Sequence, residues 1–152
     1  DRLVSVAGEI YEENGERFAV FPTPEAVAKL DYAQLRALSF SQRKAEYVID
    51  FARAIVEGKV DLDQLRQRSD CEVMETLLQL RGIGRWSVEC LLLFGMGRTD
   101  LLPASDIGLR NAVKKAWNLP YQPTEKEVRA IGSSWSPWRS YATYYLWEFL
   151  AD

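Results

Sequence analysis

The sequence predicts an all-α protein, a bundle of about nine short helices, and three observations carry that prediction. Apolar residues recur at helical spacing, most clearly Ala45, Val48, Ile49, Ala52, Ile55 and Val56. Residues that start helices, among them Thr23, Asp31, Ser41, Asp61, Asp70 and Thr124, stand just ahead of such segments. Sustained strand-type alternation is nearly absent. At 152 residues and 47% hydrophobic content, the chain has the length and apolar share of one packed domain, taken as residues 1–152.

The elements follow in order. Leu3 to Tyr11 reads as the tail of a helix ended by Asn14-Gly15. Phe21-Pro22-Thr23-Pro24 is an extended turn with Thr23 as N-cap. Pro24 falls on the first helical position, where the missing N–H has no partner to lose, and the helix runs to Leu30. Asp31 caps a helix through Leu38. Ser41 caps the longest helix, Gln42 to Glu57, which Gly58 stops. Asp61 starts a turn or short helix through Leu65, and Asp70 caps Cys71 to Leu80. Arg81-Gly82-Ile83-Gly84 breaks the pattern before an apolar helix from Arg85 to Met96. Pro103-Ala104-Ser105 is a loop leading to a helix from Asp106 to Trp117, capped by Asp106 or Ser105. Thr124-Glu125-Lys126-Glu127 is a capping box opening a helix to about Ser133. Pro137 opens the last helix, Trp138 to Leu150.

Composition narrows the chemistry. The chain has no histidine, which excludes His-based nucleophile activation and His-ligated metals. Cys71 and Cys90 are the only cysteines, too few for a four-cysteine zinc or iron–sulfur site, and are expected as buried, reduced thiols. A formal net charge of −3 argues against nucleic-acid binding by bulk positive charge. Basic residues nevertheless gather between positions 81 and 117: Arg81, Arg85, Arg98, Arg110, Lys114 and Lys115. No run approaches a membrane span and no leader opens the chain. The expectation is a protein that is not secreted, cytoplasmic and nucleoid-associated in a prokaryote, nuclear in a eukaryote.

The most informative stretch is Leu77 to Glu89. An apolar helix ends in Gly82-Ile83-Gly84 and a second apolar helix starts at once. The glycines permit positive φ and close backbone approach, and the new helix presents unpaired N–H groups suited to a phosphate. An ordinary helix–helix turn is the bland alternative. The wider context resembles the helix-hairpin-helix DNA glycosylase superfamily, and within it the 3-methyladenine DNA glycosylase II branch. Gly97 to Leu109 resembles the stretch that holds that superfamily's catalytic aspartate, and Trp135-Ser136-Pro137-Trp138-Arg139-Ser140-Tyr141-Ala142 resembles the branch's C-terminal motif. Phe21 to Glu25 and Ser41 to Ala45 add matches at similar spacing.

The resemblance implies a role for each part. Asp106 becomes the catalytic carboxylate, placed at a helix start that favours its ionised form. Trp86, Trp138 and Tyr141 become walls of the base pocket, where an indole face attracts a cationic alkylated purine. Gly82, Ile83, Gly84, Arg85 and Ser87 become the contact to the DNA backbone. The carbonyls of Leu78, Leu80 and Ile83 become ligands of a structural sodium or potassium ion, with no other cofactor and no iron–sulfur cluster. Arg139 is placed to support Asp106 or to meet a phosphate, with a solvated surface arginine as the alternative. Tyr144, Tyr145, Trp147 and Trp117 are read as core packing. Superfamily members that nick the strand carry a lysine two residues after the hairpin's second glycine; here that residue is Trp86, and an indole forms no Schiff base.

The expected function is therefore a monofunctional base excision repair glycosylase that hydrolyses the N-glycosidic bond of alkylated purines in double-stranded DNA. The rivals are a non-catalytic helix-hairpin-helix DNA-binding module, an inactive glycosylase fragment, a structural bundle and a glycosylase for oxidised bases. The chain is expected to begin inside the family's domain, after the loop that carries the wedge residue. A monomer is expected, with association where the missing part leaves Leu3, Val4, Val6 and Ile10 partly exposed.

Overall fold

Most helices in this chain begin where a short polar side chain accepts a backbone N–H. The structure is a computed structural model describing residues 2–151. Among these residues it has ten α-helices: α1 (Arg2–Ala7), α2 (Pro24–Ala28), α3 (Tyr32–Ala37), α4 (Gln42–Val56), α5 (Leu62–Arg66), α6 (Asp70–Leu78), α7 (Arg85–Cys90), α8 (Ile107–Ala116), α9 (Glu125–Ile131) and α10 (Arg139–Ala151). Thr23, Asp31, Ser41, Asp61, Asp106 and Thr124 each cap a helix through the side chain, as expected. The described residues form two compact units, one ending at Ile83 and the other starting at Gly84.

The first unit corrects one expectation. Helix α1 stops at Ala7, and the chain then forms a β-hairpin, β1 (Ile10–Glu13) and β2 (Glu16–Ala19), pairing Ile10 with Ala19 and Glu13 with Glu16. Asn14 and Gly15 are the two-residue turn, with φ of 53° and 80°. Two consecutive positive φ angles match the twist of paired strands, and Asn-Gly tolerates both. The core of this unit is Val27, Leu30, Leu35, Ala45, Ile49 and Ala52, with α4 packed on α2 and α3. Leu3 packs against that core, whereas Val6 and Ile10 are exposed.

Two details of α6 also differ. Its cap is Ser69, whose hydroxyl accepts from Glu72 N while the Glu72 carboxylate accepts from Ser69 N. Asp70 is the first helical residue instead, where its charge meets the positive end of the helix dipole. Cys71, expected buried, is exposed; Cys90 is half-buried, and both thiols are free.

In the second unit α10 packs on α8. The core is Leu102, Ala104, Leu109, Val113 and Val128, with Trp135 and Leu146 against it. The expected single helix from Arg85 to Met96 is α7 followed by a π-helical turn, Leu91–Gly95. The Met96 N–H donates to the Leu91 carbonyl at 2.8 Å, the five-residue spacing of that turn. Pro137 does not open α10, which starts at Arg139, one residue later than expected. Among the described residues no helix is long and apolar enough to cross a membrane.

Candidate functional site

The site is built around Asp106, the N-cap of α8. Its backbone N–H donates to the Pro103 carbonyl at 2.9 Å, which fixes the turn into the helix. Its Oδ2 accepts from Leu109 N at 2.7 Å and from the Trp147 indole N–H at 2.9 Å. Both bonds go to one oxygen, and Oδ1 takes neither. Gly108 makes the arrangement fit: a Cβ there would stand 3.0 Å from Asp106 Oδ2 and 3.5 Å from Trp147 Nε1.

Trp147 joins this carboxylate to an aromatic cluster. Trp86 meets it edge-on, ring centroids 6.2 Å apart. Phe94 stacks on it at 6.1 Å and 16° between planes, and Tyr144 meets it edge-on at 5.9 Å. Such spacings are those of favourable aromatic pairs. Cys90 belongs to the same neighbourhood: burial pushes its thiol pKa up, and the charges of Glu89 and Asp106 push the same way. Trp147, which the sequence reading placed in the core, is thus the direct partner of Asp106. Phe94, Tyr144 and Gly108 were not picked out as site residues either.

The other expected pocket walls divide. Trp86 is in the cluster and 45% exposed. Trp138 and Tyr141 pair with each other at 5.7 Å and are both exposed. Among the described residues neither ring stacks on Trp86 or Trp147.

Arg139 does not support Asp106; this corrects the sequence expectation. Its Nε and Nη2 donate to the two oxygens of Asp100 at 2.6 and 2.9 Å. The guanidinium holds the Asp100 carboxyl at a pKa of about 2, with a smaller push from Ser136 Oγ, which donates to it at 2.8 Å. Ser140 adds two bonds: its N–H donates to the Thr99 carbonyl, and its Oγ accepts from Leu101 N. Arg139 and Ser140 therefore tie the segment leading to Asp106 onto α10, the helix that carries Trp147.

The hairpin turn lies where the two units meet along the chain. On the first side, Gly82 has φ of 87°, and a Cβ there would fall 2.1 Å from the Tyr47 ring, so only glycine fits. Arg81 pairs with Glu46 at 2.6 Å and lies over the Tyr47 ring. The Leu80 carbonyl accepts from Ile83 N at 3.2 Å. On the second side, Gly84 precedes α7 with no side-chain cap, and Arg85, Trp86 and Ser87 are exposed. Arg85 Nε is held at 2.8 Å by the buried Glu89, and the rest of the side chain stays about half exposed. Among the described residues no cluster of acidic, Cys or His side chains could hold a metal ion.

Comparison with known proteins gives the chain's family. The chain is 32% identical over 149 residues to DNA-3-methyladenine glycosylase of Bacillus subtilis, covering 98% of this chain and 49% of that protein. It is 38% identical over 129 residues to DNA-3-methyladenine glycosylase 1 of Schizosaccharomyces pombe, covering 84% of this chain and 57% of the relative. The solved 3-methyladenine DNA glycosylase of Archaeoglobus fulgidus superposes with a TM-score of 0.87 at 30% identity, over 99% of this chain and 50% of that one. The chain spans about half the length of the curated relatives it matches. Residues 2–137 match the family model described as HhH-GPD superfamily base excision DNA repair protein. The chain therefore belongs to the HhH-GPD superfamily of base excision DNA repair proteins.

Proposed function

We propose that this chain carries the catalytic half of a monofunctional DNA glycosylase that releases alkylated purines from double-stranded DNA. The observation that carries the reading is the Asp106 carboxylate, fixed through Oδ2 by Leu109 N and Trp147 Nε1 beside an aromatic cluster. The target nucleotide must leave the base stack before its glycosidic bond can be reached. An alkylated purine is cationic and attracts the faces of aromatic rings. As the bond breaks, its electron pair passes to the base, which leaves neutral, and positive charge builds on the deoxyribose. Asp106, held in place beforehand, stabilises that charge and orients the water that adds to the sugar carbon. With Trp86 where strand-nicking relatives have lysine, no covalent enzyme–sugar step is available at that position.

Gly82, Ile83 and Gly84 lead the DNA backbone to α7, with Arg85 and Ser87 beside it. The carbonyls of Leu78, Leu80 and Ile83 suit a structural sodium or potassium ion, since Leu80 O accepts one hydrogen bond and keeps a second lone pair. Such an ion supplies charge toward a phosphate and takes no part in the chemistry. The protein would act as a monomer on DNA within the nucleoid or the nucleus.

The test is chromatographic release of 3-methyladenine and 7-methylguanine from methylated duplex DNA, followed by gel analysis of the same DNA with and without alkali. The expected result is base release with strand breaks only after alkali. Breaks without alkali would contradict the monofunctional assignment, and no release at all would contradict the activity.

A further inference from the structure

Glu89 is a charged side chain buried to 2% exposure, and the chemistry above gives it no task. It lies on α7 four residues after Arg85, so the two side chains share one helix face. Its Oε1 accepts from Arg85 Nε at 2.8 Å. Its Oε2 is buried as well and has no hydrogen-bond partner among the described residues. A buried carboxylate oxygen left in that state costs free energy, and an ion pair that served only stability would close over it. The second unit holds such a closed pair. Arg139 gives Nε and Nη2 to the two oxygens of Asp100. Arg85 gives Nε alone, and its side chain stays 54% exposed. Glu125 lies near enough to feel the Arg85 charge, but it accepts its hydrogen bonds from Arg129, at 2.6 and 3.1 Å. Both Nη groups of Arg85 are thus left without a partner among the described residues.

We propose that Glu89 is a positioning residue for DNA binding: it anchors Arg85 by Nε, so that the two Nη groups form a fixed fork for one backbone phosphate. The inference rests on the reading above, in which Arg85 lies beside the DNA backbone. A planar guanidinium matches two phosphate oxygens with two N–H donors. A loose arginine would lose side-chain freedom on binding, whereas an anchored one has lost it already. The anchor also predicts a specific sign. A carboxylate near DNA repels the phosphates, so removing one ordinarily strengthens binding. Removing this one should weaken it.

The experiment measures binding of the intact protein to a short fluorescent duplex without damage, across a series of salt concentrations, for the parent, Arg85→Gln, Glu89→Met and Glu89→Gln. Met has the reach of Glu and is apolar, so the interior stays filled. The Arg85 left behind is half exposed, so no charge is stranded inside. Arg85→Gln should weaken binding about 5- to 10-fold at about 0.1 M salt and make the salt dependence shallower by about 0.9 in slope, the share of one phosphate. Glu89→Met should weaken binding by about 2- to 10-fold with a shallower slope. It should add nothing in a chain that already carries Arg85→Gln. Glu89→Gln keeps a neutral acceptor for Nε and should fall between the parent and Glu89→Met. Glu89→Met binding as tightly as the parent or tighter would overturn the proposal; where that variant does not fold, the same result in Glu89→Gln would do so. Unchanged affinity in Arg85→Gln would also overturn it, as would an equal loss from Glu89→Met with and without Arg85. A lower unfolding temperature with the salt slope unchanged would show a role in folding alone and overturn it too. Base release by the parent alongside any of these results leaves the glycosylase reading standing and removes only the role of Glu89. The expected binding pattern without base release by the parent would remove the activity and leave this proposal in place.

Discussion

One oxygen of Asp106 takes both of its hydrogen bonds, and that division is the basis for predictions about single residues. Leu109 N is the ordinary donor of a helix cap. Trp147 Nε1 is a tertiary donor from α10 and has no part in capping. Trp147→Phe keeps one aromatic ring for the cluster and removes the N–H together with the second ring of the indole. Hydrogen bonds to charged groups are worth about 1.5–3 kcal/mol. We therefore expect kcat for base release to fall about ten-fold or more, with half-saturation nearly unchanged. A purely structural role for the indole would lower the unfolding temperature and leave kcat near the parent's at temperatures where the variant stays folded. At this scale the capping role of Asp106 is legible in the sequence, because a short acidic side chain stands just ahead of an apolar helix. The sequence is silent on Trp147, because a Trp on an aromatic-rich helix looks the same whether it fills a core or meets a carboxylate.

At the scale of elements, the capping residues mark most helix starts because the signal is local. Ser41, Asp61 and Thr124 satisfy backbone N–H groups three residues on, and nothing distant alters that. The β-hairpin was missed for a local reason too. Glu12, Glu13 and Glu16 interrupt its apolar positions, so Asn14-Gly15 reads as a helix end although it is a two-residue turn. The π-turn had no visible signal, since Leu91 to Gly95 reads as a continuous apolar helix. The hairpin turn gives the sharpest prediction here. Gly82→Ala would place a methyl group 2.1 Å from the Tyr47 ring at φ of 87°, a strain on the order of 1–3 kcal/mol. We expect a lower denaturation midpoint and weaker binding to undamaged duplex DNA. A matching change at Gly84, with nothing within 4 Å of its Cβ, should be much milder.

For the whole molecule, charge sets the expectations. Several of the basic residues read from the sequence are already engaged. Arg81 pairs with Glu46, Arg85 with Glu89, Arg110 donates to the Pro123 carbonyl, and Lys115 to the Phe149 carbonyl. With a net charge of −3, DNA affinity should rest on few phosphate contacts and fall only shallowly with salt. A steep salt dependence would contradict this. The Asp100–Arg139 pair adds a pH dependence. The Asp100 pKa is depressed from 3.8 to about 2, so its stabilisation is fully present above pH 3.8 and is lost as pH falls through about 2. The magnitude is on the order of 1–2 kcal/mol. Asp100→Asn should therefore be less stable than the parent at pH 5, with the difference closing toward pH 2, as read by urea denaturation. Arg139 shows why whole-molecule geometry was the least legible level. Its sequence neighbourhood suggested Asp106, but chain folding delivered Asp100, thirty-nine positions away.

In the proposed reaction Asp106 is the group that stabilises the developing positive charge. The most direct test is the single-turnover rate of 7-methylguanine release from a singly modified duplex, parent against Asp106→Asn, at enzyme concentrations that saturate binding. Asparagine keeps an oxygen for the Leu109 and Trp147 donors and removes the charge. We expect a rate lower by about 100-fold or more with DNA affinity and unfolding temperature close to the parent's. A rate within a few-fold of the parent, with the DNA equally well bound, would contradict it.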